Sequence, residues 1–363
     1  MSLALPDFPW DSLAPYSERA RAHPGGLIDL SVGSPVDETP AVVRDALAAA
    51  TDAHAYPQTM GSPALREAIV EWFQRRRGVS GLRVDNVLPT IGSKELIALM
   101  PLLLGLGKGD VVVQPAVAYP TYAIGAAIVG ATVVASDDPA DWPENTRLIW
   151  VNSPGNPDGR VLSVEELRAA VARARERGAV IAGDECYAEL SWDSDTATPS
   201  ILDPRVIGDD RSGVLALYSL SKQSNLAGYR AAFVAGCSSI IGELLAVRKH
   251  LGLIPPAPVQ QAMIAALGDE AHVATQRELY RARRARLLPA VEAAGYRVDH
   301  SEGGLYLWAT KGQDSWASVS EFADLGILVV PGTFYNESPA EHVRIALTAT
   351  DADIEAAATR LAL

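Results

Sequence analysis

The chain has 363 residues, 48% of them hydrophobic and 21% charged, an ordinary composition for a folded globular protein. Lysine and arginine total 31 against 44 aspartates and glutamates, and the resulting net charge of −13 disfavours nonspecific binding to nucleic acid or to an acidic membrane surface. This length predicts one large and one smaller domain rather than a single core.

Two cysteines, Cys186 and Cys237, make no disulfide framework and suit a reducing compartment. The N-terminal stretch carries Asp7 and lacks a basic start, so it does not read as a signal peptide. The longest apolar run, Leu96 to Leu106, is short and broken by Pro101, so no membrane span is expected. A cytoplasmic protein follows.

In chain order, Pro40 to Ala53 and Ser62 to Arg77 read as amphipathic helices, the second entered through Ser62-Pro63. Ser93 to Leu104 is helical and turns through Gly105-Leu-Gly-Lys-Gly-Asp110 into the strand Val111 to Val113. Arg147 to Val151 is a strand, and Ser163 to Arg177 a helix opened by a Ser163/Glu166 capping box and closed by Gly178. Strands follow at Ala179 to Ala182, Val214 to Tyr218 and Ala231 to Ala235. Short all-apolar strands between helices predict a mostly parallel sheet covered on both faces. After about residue 265 an Arg-rich helix, Glu270 to Ala294, precedes strands at Gly304 to Ala309, Ile327 to Val330 and His342 to Ala346. That reads as a smaller α+β domain completed by the N-terminal forty residues.

Two features invite other readings. Gly105-Leu-Gly-Lys-Gly fits no phosphate-loop spacing and precedes a strand, so it is read as a turn. The six histidines have no ligand spacing, and no metal site is expected.

Four segments at predicted strand ends carry the chemistry, at the edge where open parallel sheets bind ligands. Thr90-Ile-Gly-Ser-Lys-Glu95 opens a helix at Ser93 and Lys94, whose free amides suit an anion, although a plain capping serine reads equally well. Asn152 to Gly159 is a Pro- and Gly-rich loop that could fix the Asn156 amide or be a mere turn. Asp184, after an apolar run, is costly to bury unless a cation faces it. Lys222, one of five lysines, sits among Ser219, Ser221 and Ser224 directly after a strand, with Arg230 eight residues on. A lysine there can form a Schiff base, and the arginine can clamp a phosphate. Together these groups meet the needs of pyridoxal 5′-phosphate.

At these residues the chain resembles the fold-type I pyridoxal-phosphate enzymes, specifically the class I/II aminotransferases. The resemblance runs from Leu30-Ser-Val-Gly-Ser-Pro35 to Arg344 and rests on N-x-P-x-N-P-x-G, D-E-x-Y and S-x-S-K-x(7)-R. It implies an α/β large domain (41–265) whose mostly parallel, seven-stranded sheet is sandwiched by helices. A small α+β domain (266–363) and an N-terminal segment (1–40) complete the chain.

By the same resemblance Lys222 is the Schiff-base lysine and proton carrier, Asp184 faces the pyridine nitrogen, and Asn156 and Tyr187 hold the phenolic oxygen. Ser93, Lys94 (through its backbone), Ser219, Ser221 and Arg230 form the phosphate cradle. Tyr119 is the stacking aromatic, with Tyr122 and Val117 as alternatives because Pro115 lies further from Tyr119 than is usual. Tyr56 resembles the tyrosine that reaches a neighbouring subunit's phosphate, implying a homodimer with shared active sites. Arg344, Gly33 and Asn156 are expected at the substrate. An arginine inside an apolar strand independently calls for an anion.

The resemblance implies alternating half-reactions with glutamate as donor. The Phe-Pro-Trp-Asp N-terminus, the Gly-Ser-Lys-Glu turn and the Ala-Tyr-Pro-Thr-Tyr loop are similar to bacterial N-succinyldiaminopimelate aminotransferases of lysine biosynthesis. Such a substrate needs a second cationic or amide-rich pocket, for which Arg21 and Lys249 are candidates that read equally as solvated surface charges. Other aminotransferases, a carbon–sulfur β-lyase and a regulator's sensor domain remain as alternatives. The acidic balance and the lack of a basic helix-turn-helix before residue 30 oppose the last.

Overall fold

Runs of valine, leucine, isoleucine and alanine make seven strands that the rest of the chain wraps. The computed structural model describes residues 5–192, 198–336 and 340–362. The strands are β1 (Val87–Ile91), β2 (Val111–Gln114), β3 (Thr132–Ala135), β4 (Thr146–Asn152), β5 (Val180–Asp184), β6 (Val214–Ser219) and β7 (Ala231–Gly236). They form one sheet in the order β1-β7-β6-β5-β4-β2-β3, in which β7 alone runs against its neighbours. Its inner strands β6 and β7 are buried along their whole length, which is why their sequences are apolar without alternation. β3, at the edge and partly exposed, lacks that signature and is not apparent in the sequence.

Helices cover both faces of the sheet. The Ser163/Glu166 box closes as its spacing predicts: Glu166 N donates to Ser163 Oγ at 3.1 Å, and Ser163 N donates to Glu166 Oε2 at 2.8 Å. Gly178, at φ 62°, ends that helix. The helix expected to reach Ala53 spans only Ala41–Ala49, because Thr51 Oγ1 folds back onto Ala48 O and diverts the last turn.

A second, antiparallel sheet orders Val330–Pro331, His342–Ala346, Tyr306–Thr310 and Arg297–Asp299. The single strand expected over Ile327 to Val330 is two: Ile327–Leu328 pairs with Ile28–Asp29, and Val330–Pro331 pairs with His342–Ala346. One short run thus serves two sheets. The apolar cluster beneath joins Leu13, Leu30, Tyr187, Trp192, Tyr280 and Ile354. It therefore takes in the segment after Asp184 as well as both chain ends. Among the described residues no helix is long and apolar enough to cross a membrane.

Behind β5 lies a buried ion pair. Arg77 Nη2 stands 3.1 Å from Glu185 Oε2, while Glu185 Oε1 accepts from Ile201 N and Ser200 Oγ. Burial raises the Glu185 carboxyl, and Arg77 offsets only part of that. Removing one partner of such a pair costs about 3–5 kcal/mol, whereas replacing both by apolar groups costs far less. Urea unfolding of Arg77→Leu should show a loss of that order, and Arg77→Leu/Glu185→Leu should recover most of it. A double variant no more stable than the single one would refute the charge argument.

Candidate active site

The reversed direction of β7 brings distant segments together. β4, β5 and β6 end at Asn152, Asp184 and Ser219 on one edge, where Asn152 pairs with Asp184 in register. β1 ends there too, at Ile91, opposite Ala231, the first residue of β7. Gly92 to Glu95, Asn156, Asp184, Lys222 and Arg230 therefore gather at a single edge.

Asp184 is buried, and its carboxylate accepts from Tyr122 Oη at 2.8 Å and from Cys186 N at 3.2 Å. No cation of the described residues pairs with it, and burial raises its pKa despite those hydrogen bonds. Tyr122 is itself fully buried and stacks on Trp150 at 5.0 Å, so it positions the aspartate and has no free face to offer. Tyr119 meets Tyr122 edge-on at 5.8 Å and is half-buried, while Val117 packs against the second cluster.

Ser219 caps the turn Leu220–Gln223 that carries Lys222, accepting from Ser221 N and donating to Ser221 Oγ at 2.9 Å. Lys222 Nζ donates to the Gly33 carbonyl. Burial lowers the amine below the ordinary lysine value, with Arg344 and Arg230 adding to the effect and Tyr306 and Cys186 opposing it. The depression comes from desolvation first and from the cationic neighbours second.

At the helix Ser93–Leu103 the N-cap is Gly92, not Ser93, and no side chain caps the first amides. Ser93 is thereby free of the capping role. Glu95 instead takes Ile91 N and is pinned by buried Arg248 at 2.7 Å. Arg230 closes this cradle. Its φ of 56° is left-handed, a strained state for a non-glycine residue, and a Cβ on Gly92 would lie 2.2 Å from its Nη2.

Arg344 lies in the strand His342–Ala346, buried. It donates to Asn156 Oδ1 at 3.1 Å and to Ser31 O at 2.7 Å, which leaves the Asn156 amide nitrogen as the end that can donate elsewhere. Tyr306 and Tyr335 ring its guanidinium at 4.0 and 5.2 Å. Two buried donors here, Arg344 Nε and Tyr335 Oη, have no partner among the described residues. Tyr335 O accepts from Ala118 N at 3.0 Å, and Asn336 Nδ2 donates to Ala116 O at 2.8 Å, which latches the Tyr119 loop to this segment.

Glycine at 33 has a steric reason beside the one expected. A Cβ there would fall 1.9 Å from Tyr306 Oη, so the glycine makes room for a phenol. Motif reading gives Tyr306, Tyr335 and Ser31 no role at the site, although Ser31 lies within the Leu30–Pro35 stretch. Tyr187 Oη lies 3.3 Å from Tyr306 Oη. Tyr56 is 98% exposed and touches none of this. Arg21 and Lys249 are also exposed, on the helices Ala14–Arg21 and Ser238–Leu251. Lys94 is the cation nearer the edge, with its amine 5.8 Å from the Phe8 ring centroid.

The profile of aminotransferases of class I and II matches residues 26–361. A 4-dedimethylamino-4-oxo-anhydrotetracycline transaminase of Streptomyces rimosus is 56% identical over 98% of this chain and 99% of its own length. An LL-diaminopimelate aminotransferase of Dehalococcoides mccartyi is 31% identical over 99% of this chain and 96% of its own. A crystal structure of an aminotransferase from Neisseria meningitidis superimposes with a TM-score of 0.91 at 31% identity, covering 98% and 97% of the two chains.

The cofactor of that family is pyridoxal 5′-phosphate, and the residues present fit it. The unanswered Asp184 carboxylate suits a protonated ring nitrogen, the uncapped helix with Arg230 suits a phosphate, and the Lys222 amine suits an aldehyde. Asp184→Asn should weaken cofactor binding roughly 10²- to 10⁴-fold, the equivalent of about 3–5 kcal/mol for stripping a buried pair. The cofactor-free variant should be at least as stable as the wild type. A carboxyl raised in the folded state costs nothing below its ordinary value, and the loss builds up as pH rises from that value through the raised folded one. The wild-type apoprotein should therefore fall progressively behind the variant in thermal melts as pH rises above the ordinary aspartate value of about 4. Equal cofactor affinity, or a less stable apo variant, would contradict this.

Proposed function

The chain belongs to the class I and II aminotransferases, and we propose that it exchanges an amino group between glutamate and N-succinyl-2-amino-6-oxopimelate in alternating half-reactions. The observation that carries the amino-transfer reading is a buried lysine amine of lowered pKa, at the same sheet edge as an uncompensated buried carboxylate and close enough to a caged arginine to feel its charge. When bound, pyridoxal phosphate supplies a ring that accepts the electron pair left on a substrate Cα after deprotonation.

The chain's own residues do the rest. Lys222 Nζ takes the Cα proton and returns it, a task that burial favours by lowering its pKa. Asp184 holds the ring nitrogen protonated, and Asn156 Nδ2 with Tyr187 Oη holds the phenolic oxygen. Ser93, the Lys94 amide, Ser219, Ser221 and Arg230 hold the phosphate, while Tyr119 covers the ring. Arg344 binds the substrate carboxylate, with Gly33 turning its carbonyl towards Lys222. Tyr56, a large aromatic left in solvent by a single chain, supports a homodimer in which it completes the neighbour's phosphate site.

A substrate with remote carboxylates is supported by the second cation. Lys94 lies against Phe8, which stacks on Trp10 at 5.5 Å, and Trp10 stands 6.0 Å from Arg344. The same aromatic wall, continued by Phe334 at 5.2 Å from Trp10, and the 56% identity to the Streptomyces rimosus enzyme favour a second reading, a polycyclic ketone as acceptor.

Absorbance of the cofactor-loaded protein should change on adding glutamate and revert with the true acceptor. Reversal by N-succinyl-2-amino-6-oxopimelate supports the first reading, and reversal by the polycyclic ketone alone supports the second. No change with any amino donor, or release of ammonia and pyruvate from cysteine-type substrates, would overturn amino transfer. Lys222→Ala should retain no cofactor after borohydride reduction and denaturation. Retention would move the attachment elsewhere.

A further inference from the structure

Tyr306 occupies a position that the assignments above leave without a task. It opens the strand Tyr306–Thr310, whose antiparallel register places Trp308 opposite Arg344 and Tyr306 opposite Ala346. Residues two apart on one strand share a face, so Tyr306 and Arg344 are diagonal neighbours. The Tyr306 ring accordingly lies 4.0 Å from the guanidinium carbon, nearer than Tyr335 at 5.2 Å or Trp10 at 6.0 Å.

Its hydroxyl reaches the other half of the site. It meets Tyr187 Oη at 3.3 Å, and it fills the space that a side chain at position 33 would need. The Gly33 carbonyl beside it receives the Lys222 amine. One buried residue thus touches the arm that binds a carboxylate and the phenol assigned to the cofactor.

We propose that Tyr306 is a positioning residue with two separable parts: its ring orients Arg344, and its hydroxyl, paired with Tyr187, couples the carboxylate arm to the cofactor's phenolic oxygen. The proposal rests on the roles given above to Arg344 and Tyr187. The groups that face the phenol are Tyr187, Lys222 and Arg344, with Tyr119, Tyr280 and Tyr335 beyond. Burial pushes the phenol up, but Arg344, Lys222 and the Tyr187 bond together bring it below the ordinary tyrosine value. Tyr187 is held well above that value, chiefly by burial and then by Tyr306, so the pair shares its protons unequally. A carboxylate arriving at Arg344 removes positive field from Tyr306, raises its proton affinity and changes what Tyr187 can donate.

Two variants separate the parts. Tyr306→Phe keeps the ring and loses the hydroxyl, so KM for glutamate should stay within about twofold while kcat falls roughly two- to tenfold, the worth of one hydrogen bond. The pH midpoint of the cofactor's absorbance should also move. Tyr306→Leu loses both parts, and KM should rise roughly five- to thirtyfold, the worth of a desolvated cation–π contact. A Phe variant with unmoved midpoint and kcat, or a Leu variant with unmoved KM, overturns the corresponding part. The cofactor-free protein supplies an arm independent of any catalytic reading. Its phenolate absorbance should begin to rise at lower pH than that of the Tyr306→Phe apoprotein, and coincident titrations would overturn the coupling.

Discussion

Asp184 is a carboxylate buried at the end of a strand with a phenol and an amide for company and no cation among the described residues. Left alone, such a group is a liability, since burial without a counter-charge is among the more costly arrangements in a protein. The surrounding structure spends its rigidity on maintaining it. Tyr122 is locked between Trp150 and the aspartate, and the chain immediately beyond is anchored by Arg77 on Glu185. The Asn152 side chain donates to Asp184 O at 2.8 Å and accepts from Asn156 N at 2.8 Å, which fixes the neighbouring loop to the same point. A positively charged ring nitrogen would make this arrangement favourable.

The opposite side of the edge is prepared by similar means. Arg248, buried, grips Glu95 so that the first turn of the helix Ser93–Leu103 points its amides outwards. Arg230 accepts a left-handed backbone to bring its guanidinium against Gly92. Both anchors are ion pairs or strained residues outside the reacting centre, a pattern expected where geometry matters more than local stability.

Much of this was legible in the sequence because strand ends announce themselves. Apolar runs that stop at Asp184 and Ser219 located the edge, and the scarcity of lysine singled out Lys222. Side chains whose partners come from remote segments were not legible. Tyr306 meets Arg344 only through antiparallel register and meets Gly33 only because residues 28–33 lie alongside the second sheet. Gly33 read as an approach point for substrate because sequence shows that a glycine is small and not what fills the space beside it. The split of 327–331 between two sheets was hidden for the same reason, since an unbroken apolar run carries no mark of a change of partner.

The bond from Ala118 N to Tyr335 O, with Asn336 beside it, joins two loops that arise from different sheets. The Tyr119 loop and the cage around the Arg344 guanidinium are in this way geared together. A displacement of one loop is transmitted to the other, so the Tyr119 ring and the arginine cage share a single mechanical coordinate.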